Sequence, residues 1–220
     1  MQDNINTYEN IQHINNNAIK IAVFGGTFNP VHNGHIHIAK EFLYKLNCDK
    51  MIIIPTKTPP HKKAHDLASG IDRLNMCKLA FDFDKRIEVS NMEIKRDGPS
   101  YTSCTLRELK AIYPNATLYF IMGTDMLITI EHWYNYKEIF ALAILCAGAR
   151  DKNEYKKLKE YAEKLEKDGA NVIIKDIKPV IISSTQIRDM LLNGRDTENM
   201  FPNKVYDYIK TKGLYNNGSD

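Results

Sequence analysis

Six short apolar runs, separated by longer amphipathic segments, constrain the fold of this 220-residue chain more than any other feature of its sequence. Most of the runs are continuously apolar and do not alternate with polar residues, which is typical of strands covered on both faces. Strands that alternate with helices predict an α/β fold with a largely parallel sheet and helices on both faces. The runs are IAVF (21–24), MIIIP (51–55), IEVS (87–90), TLYFIM (117–122), ALAILCA (141–147) and NVIIK (171–175).

The segments between the runs carry apolar residues at the spacing of a helix. The first predicted helix starts near Gly34, and segment 152–168 forms another whose charged residues make a solvated face. A last helix is predicted after an apolar strand, PVII (179–182), and Gly194 is suited to end it. The residues that mark the helices are Ile38, Ala39, Phe42, Leu43 and Leu46, then Leu74, Cys77, Lys78 and Phe81, then Leu106, Leu109 and Ile112, and finally Tyr155, Leu158, Ala162 and Leu165.

Length and composition predict one domain, residues 19–215, between a polar, Asn-rich tail (1–18) and a short loose tail (216–220). The net charge is only +3 with charges of both signs mixed, so no nucleic-acid interface is expected. The longest apolar stretch, 140–149, is too short to span a membrane. The start of the chain does not match a secretory signal, and the four cysteines form no CxxC pair, so we expect reduced thiols and a cytoplasmic location.

The segment GGTFNPVHNGH (25–35) follows the first apolar run directly. Glycines after a strand allow a tight turn and close approach of the backbone to a ligand. A helix that starts near Gly34 favours an anion at its N-terminus, and histidines there can donate hydrogen bonds to phosphate. The segment therefore predicts a phosphate site that includes His32 and His35. A plain glycine turn with surface histidines is the alternative, and zinc binding by these two with His37 is disfavoured because no nearby Cys or carboxylate completes the set.

A second segment, ISSTQIR (182–188), is predicted to open the last helix. Ser183, Ser184 and Thr185 then lie at its N-terminus, where hydroxyls and free amides can hold phosphate. Arg188 lies one turn further and can clamp an anion. An ordinary Ser/Thr helix cap beside a surface arginine is the alternative. Together with the first segment, these residues favour the phosphate interpretation.

GGTFNPVHNGH resembles the GGxFxPxHxGH signature of the nucleotidyltransferase superfamily, and ISSTQIR resembles its second signature, which binds the β- and γ-phosphates of ATP. HxGH alone is shared with class I aminoacyl-tRNA synthetases, cytidylyltransferases and pantetheine-phosphate adenylyltransferases. Three further segments, in this order, make the chain similar to the bacterial nicotinate-mononucleotide adenylyltransferases from about Ile21 to Tyr215. They are PPHK (59–62), GPSYTSCTL (98–106), and GTDML with HWYNY (123–136).

The resemblance implies a Rossmann-like, doubly wound fold that transfers the adenylyl group of ATP to nicotinate mononucleotide with the help of Mg²⁺ held mainly by the ATP phosphates. It makes His32 and His35 the catalytic residues, with His35 stabilising the phosphoryl group under attack. The residues that it assigns to ATP are Gly25, Gly26, Thr27, His32, His35, Asp125, Ser184, Thr185 and Arg188. Those that it assigns to the mononucleotide are Lys57, His61, Lys62, Thr102, Trp133 and Tyr134.

Within that second set, Trp133 is expected to stack on the pyridine ring, while Thr102 and the backbone at Trp133 and Tyr134 receive its carboxylate. If the resemblance is left aside, Trp133 is predicted to be a core residue, because large aromatic side chains are usually buried. The chain departs from the family just ahead of PPHK, where many members carry an amide residue and Lys57 stands near that position. In the first segment, Asn29 stands at a position where aspartate is frequent in the family.

Two alternatives and one question stay open from the sequence. A pantetheine-phosphate adenylyltransferase usually has Thr at the position of His32 and lacks the PPHK and WY features. A nucleotide-sensing or RNA-binding protein that kept the fold is a second alternative, against which the weak net charge and the intact motifs argue. The open question is the oligomeric state, for which the resemblance allows a homodimer.

Overall fold

The computed structural model describes residues 18–57, 67–178 and 180–216. Within these ranges six strands form one sheet in the order β3-β2-β1-β4-β5-β6, and every neighbouring pair is parallel. The strands are β1 (Lys20–Gly26), β2 (Lys50–Pro55), β3 (Ile87–Val89), β4 (Thr117–Met122), β5 (Ala143–Ala149) and β6 (Val172–Asp176). The predicted doubly wound, parallel α/β architecture is confirmed.

Helices connect the strands and cover both faces of the sheet. Short 3₁₀ turns occupy Ile130–His132 and Glu198–Met200. None of the helices in the described ranges is long and apolar enough to cross a membrane. The helices are α1 (Asn33–Lys45), α2 (Gly70–Ala80), α3 (Met92–Lys95), α4 (Thr102–Ile112), α5 (Thr124–Leu127), α6 (Tyr136–Leu142), α7 (Lys152–Lys167), α8 (Ser184–Leu192) and α9 (Asn203–Thr211).

Strand β1 shows why the apolar runs are continuous. Ala22 and Phe24 point into a core shared with α1, α2, α8 and α9, whereas Ile21 and Val23 point into a core shared with α4, α6 and α7. Because successive side chains of a strand face opposite sides, a strand between two helical layers must be apolar at every position.

Three expectations about elements are wrong in detail. The strand predicted from the run at 141–147 begins later than expected, because α6 continues through Leu142 and β5 begins only at Ala143. Ile112 is exposed, because α4 ends at this residue and its packing on the sheet is made by Leu106 and Leu109. The segment predicted as strand PVII forms no strand at 180–182, where Ile181 is exposed and, among the described residues, has no core to pack against.

The predictions for the N-terminal tail, for the end of the chain beyond 216, and for the PPHK segment concern residues outside the described ranges. All four cysteines are free, and three of them are buried.

Candidate active site

A cleft opens at the carboxyl ends of β1 and β4, where the strand order of the sheet reverses. Ligands of open parallel sheets bind at such reversal points, because the connections leave neighbouring strands in opposite directions and a crevice remains between them. Six of the residues assigned from the sequence line this cleft: Gly25, Gly26, Thr27, Thr102, Trp133 and Tyr134.

His32 and His35 lie together at the start of α1. His32 is the N-cap residue, and its backbone N–H donates to Nδ1 of His35 at 3.3 Å. The two imidazole rings lie with their centroids 3.8 Å apart and their planes inclined by 32°. Gly34 makes this arrangement possible, because a Cβ at that position would lie 3.0 Å from Cε1 and Nδ1 of His32. The HxGH spacing therefore stacks the two rings at the helix N-terminus.

Burial sets the charge of both rings. It lowers the pKa of His32 to about 4, and burial together with the neighbouring His32 holds the pKa of His35 well below its usual range. Both histidines are therefore neutral near pH 7 in the free protein. Since Nδ1 of His35 accepts a hydrogen bond, its Nε2 carries the proton and is a donor. Nδ1 of His32 is buried and finds no partner among the described residues.

The ISSTQIR segment meets the GGTFNPVHNGH segment in space, although the contacting residues lie 154 and 159 positions apart in the sequence. The hydroxyl of Ser184 donates to the carbonyl of Pro30 at 2.9 Å, and Nη1 of Arg188 donates to the carbonyl of Asn29 at 2.8 Å. Thr185 accepts a longer bond from Nη2 of Arg188 at 3.5 Å. These contacts place the N-terminus of α8 against the loop that leads into α1. The two helix starts that the sequence indicated for phosphate binding therefore lie next to each other in the fold, with Arg188 in contact with both segments.

Aromatic side chains form one wall of the cleft. Trp133 is half-buried and meets Phe120 edge to face, with 6.3 Å between the ring centroids. The ring of Tyr134 is largely exposed and stacks on Tyr101, with the centroids 4.4 Å apart. Thr102 begins α4 beside them. Trp133 thus packs against the core and lines the cleft at once, so neither sequence interpretation of it excludes the other.

The lining of the cleft does not include Lys57 or Asp125, nor the residues of the two helix starts, His32, His35, Ser184, Thr185 and Arg188. The amine of Lys57 donates to the carbonyl of Arg96 at 2.9 Å and pairs with Asp97 at 3.2 Å, and Lys57 is not among the lining residues. Asp125 lies exposed in the first turn of α5, directly after β4. His61 and Lys62 lie outside the described residues.

Two buried charged residues beside the cleft were not singled out from the sequence. Glu93 lines the cleft and accepts a hydrogen bond from the Thr105 hydroxyl at 2.6 Å, and burial raises the pKa of its carboxyl. Arg73 is buried in α2 behind the strand ends. Its position carried a signal, because Arg73 shares the inward helical face of Met76, Cys77 and Ala80, where a charged residue is unexpected.

The fold and the meeting of the two helix starts are typical of one class of protein, and a family model identifies it. The cytidylyltransferase-like model matches residues 23–190. The match spans both histidines at one end and Arg188 at the other.

Similar proteins narrow the class. A protein of Clostridium tetani named "Probable nicotinate-nucleotide adenylyltransferase" is 40% identical over 201 residues, covering 89% of this chain and 98% of that protein. A protein of Dehalococcoides mccartyi with the same name is 39% identical over 199 residues, covering 90% and 98%. The chain belongs to the cytidylyltransferase-like family and, within it, to the nicotinate-nucleotide adenylyltransferases. This decides among the branches that HxGH alone left open.

A solved structure has the same fold. The Plasmodium falciparum nicotinic acid mononucleotide adenylyltransferase complexed with NaAD matches with a TM-score of 0.74 at 19% identity, over 90% of this chain and 97% of that one.

Proposed function

We propose that the protein transfers the adenylyl group of ATP to nicotinate mononucleotide, giving nicotinate adenine dinucleotide and pyrophosphate in NAD biosynthesis. The observation that carries this proposal is the meeting of the HxGH and ISSTQIR helix starts beside a cleft with an aromatic wall. The names of the relatives support the choice of acceptor.

The reaction needs alignment more than proton transfer. An oxygen of the mononucleotide phosphate attacks the α-phosphorus of ATP, and the bond from that phosphorus to the bridging oxygen of the β-phosphate breaks. The attacking phosphate is already an anion, so it requires no strong base. The donors that face the charge in transfer are Nε2–H of His35, the free amides of α1 and α8, and Arg188. We assign His32 and His35 to the triphosphate, and Ser184, Thr185 and Arg188 to the departing phosphates.

Mg²⁺ is proposed to enter with ATP. The side chains that gather at the phosphate end are imidazoles, hydroxyls and a guanidinium, which suit phosphate oxygens better than Mg²⁺. We therefore assign no protein ligand to the ion and place it on phosphate oxygens and water. Such an ion offsets the charge of the departing pyrophosphate.

Acceptor recognition is proposed at the aromatic wall. The N–H of Trp133 already donates to the carbonyl of Ile130 at 2.9 Å. We therefore assign the nicotinate carboxylate to the N–H of Tyr134 and the hydroxyl of Thr102, with the pyridine ring against Trp133. Opening the Tyr101–Tyr134 stack would give the ring access to this wall.

We also propose a reducing, cytoplasmic setting, which the four free cysteines support. A homodimer stays a prediction of the family resemblance.

Pyrophosphate release by the purified protein tests the function. It is measured with ATP and Mg²⁺ and one of three acceptors: nicotinate mononucleotide, nicotinamide mononucleotide or phosphopantetheine. We expect clear preference for nicotinate mononucleotide, because among the three acceptors only its pyridine ring carries a carboxylate that the two donors can bind. Release with phosphopantetheine only would refute the acceptor while leaving the phosphate site intact, and no release with any of the three would refute the proposed function.

A further inference from the structure

Arg73 is held in an unusual way for a charged side chain. It is 1% exposed, and its hydrogen bonds run to main-chain carbonyls. Nη1 donates to Thr27 at 2.8 Å and to Thr56 at 2.6 Å. Nη2 donates to Lys57 at 3.2 Å, and Nε donates to Ala68 at 3.0 Å. One planar guanidinium thus ties together three separate pieces of backbone.

The charge of Arg73 has no acidic partner among the ion pairs of the described residues. Burying an unpaired cation is unfavourable, and burial lowers the pKa of Arg73 accordingly. The carbonyl oxygens offset part of this, since each accepts a charge-assisted hydrogen bond. The four bonds fix the planar fork of Arg73, and with it the backbone segments that accept them.

The pieces that Arg73 joins lie at the ends of two neighbouring strands. Thr27 follows β1 and precedes the HxGH segment, and it belongs to the residues assigned to ATP. Thr56 and Lys57 follow β2; Thr56 lines the cleft, and the family resemblance assigns Lys57 to the mononucleotide. The backbone N–H of Thr56 also donates to the carbonyl of Gly26 at 3.0 Å, so the two strand ends are linked from both sides.

We propose that Arg73 is a positioning residue for adenylyl transfer: its guanidinium fixes the ATP-side strand end at Thr27 relative to the mononucleotide-side strand end at Thr56 and Lys57. The proposal rests on the proposed function. In-line attack requires the acceptor oxygen and the α-phosphorus to be aligned, and small displacements of bound reactants slow such reactions strongly. Arg73 touches neither reactant and acts through the backbone of the two loops.

Arg73→Lys tests the proposal, because lysine keeps the charge but lacks the planar fork. We expect kcat to fall about 100-fold, while the dissociation constants of ATP and of the mononucleotide, each measured alone, change less than about threefold. Tyr208→Phe is the matched control. The Tyr208 hydroxyl donates to Asp72 at 2.9 Å and accepts from Asn75 at 3.1 Å, so its loss weakens the packing of the same helix α2 on α9 without touching the strand ends.

Both variants are assayed at a temperature where circular dichroism shows them to be folded. A purely structural role would lower the melting temperature of R73K and Y208F alike and leave kcat per folded molecule unchanged, which would overturn the proposal. Equal loss of the separate affinities for ATP and mononucleotide would overturn it as well. If wild type itself fails with nicotinate mononucleotide, the proposed function fails, and R73K is then compared using the acceptor that does support turnover.

Arg73→Ala with added guanidinium keeps the proposal testable if R73K does not fold. We expect guanidinium at low, non-denaturing concentration to raise the kcat of R73A about tenfold. Methylammonium at the same concentration should leave this kcat unchanged, because only guanidinium reproduces the planar fork. Recovery of the melting temperature without recovery of kcat would overturn the proposal, and so would equal recovery with both cations.

Discussion

The backbone N–H of His32 donates to Nδ1 of His35, and the two imidazole rings lie 3.8 Å apart between centroids. This bond fixes the tautomer of His35 and leaves Nε2–H as a donor at the N-terminus of α1. His35 therefore presents a donor before any ligand binds, and neither ring carries charge near pH 7 in the free protein.

His35→Ala is expected to lower kcat by about 100- to 1,000-fold, because it removes a preorganised donor to the phosphoryl group under attack. Steady-state pyrophosphate release measures the change. His37→Ala is the matched control, since His37 lies on the same helix and contacts the carbonyl of Lys178 at 2.8 Å. A kcat for H35A within a few-fold of that of H37A would contradict the assigned role.

ATP binding is expected to take up protons at about pH 6, because the triphosphate raises the pKa of histidines that burial keeps low in the free protein. Calorimetric titration in buffers of different ionisation enthalpy measures the uptake. His32→Gln should reduce it, whereas His37→Gln should not. A binding enthalpy that is the same in all buffers would show that the rings stay neutral and act only as dipoles.

Gly34→Ala is expected to impair activity strongly with little loss of helix, because the new Cβ would press on the ring of His32 at 3.0 Å. Gly70→Ala is the control: it also lies in the first turn of a helix, and a Cβ there meets no atom closer than 3.5 Å. Activity and circular dichroism are compared for both. Normal kcat for G34A would mean that the stacked position of His32 is not required.

Trp133→Ala is expected to raise KM for nicotinate mononucleotide more than KM for ATP, because it removes the wall proposed to stack on the pyridine ring. Trp133→Phe retains an aromatic face and should recover most of the loss. If KM for ATP rose as much as that for the mononucleotide in W133A, the effect would come from lost packing against Phe120.

Glu93→Gln is expected to stabilise the protein at about pH 8 more than at about pH 5. The pKa of Glu93 is raised in the folded state, so the folded protein binds the extra proton and its stability declines as pH rises from the ordinary value of 4.5 through the raised one. Glutamine abolishes this decline and can still accept from Thr105. Arg96 and Glu108, the charges that face Glu93, are unchanged.

The melting temperatures of wild type and E93Q across this pH range measure the difference. Glu160→Gln, on the exposed side of α7, serves as the control and should show no such trend. A pH-independent difference for E93Q would mean that Glu93 stays charged, held by Arg96.

The sequence by itself determined the fold class, and it singled out the two helix starts that the fold brings together. Periodicity distinguished strands from helices, because a strand between two helical layers must be apolar throughout. The glycines and histidines after β1, and the hydroxyls and Arg188 at the start of α8, had to lie at strand ends or helix starts, where backbone donors are free. Family membership then followed from the order of the motifs.

Only the tertiary structure decided how these residues behave. The neutrality of His32 and His35, the buried carboxyl of Glu93 and the pairing of Lys57 with Asp97 depend on atoms contributed by elements far away along the chain. Arg73 is the clearest case, because its partners at Thr27, Thr56 and Ala68 come together only when β1, β2 and α2 are packed. Burial and the partners of a charge are properties of the folded neighbourhood, and local sequence does not contain them.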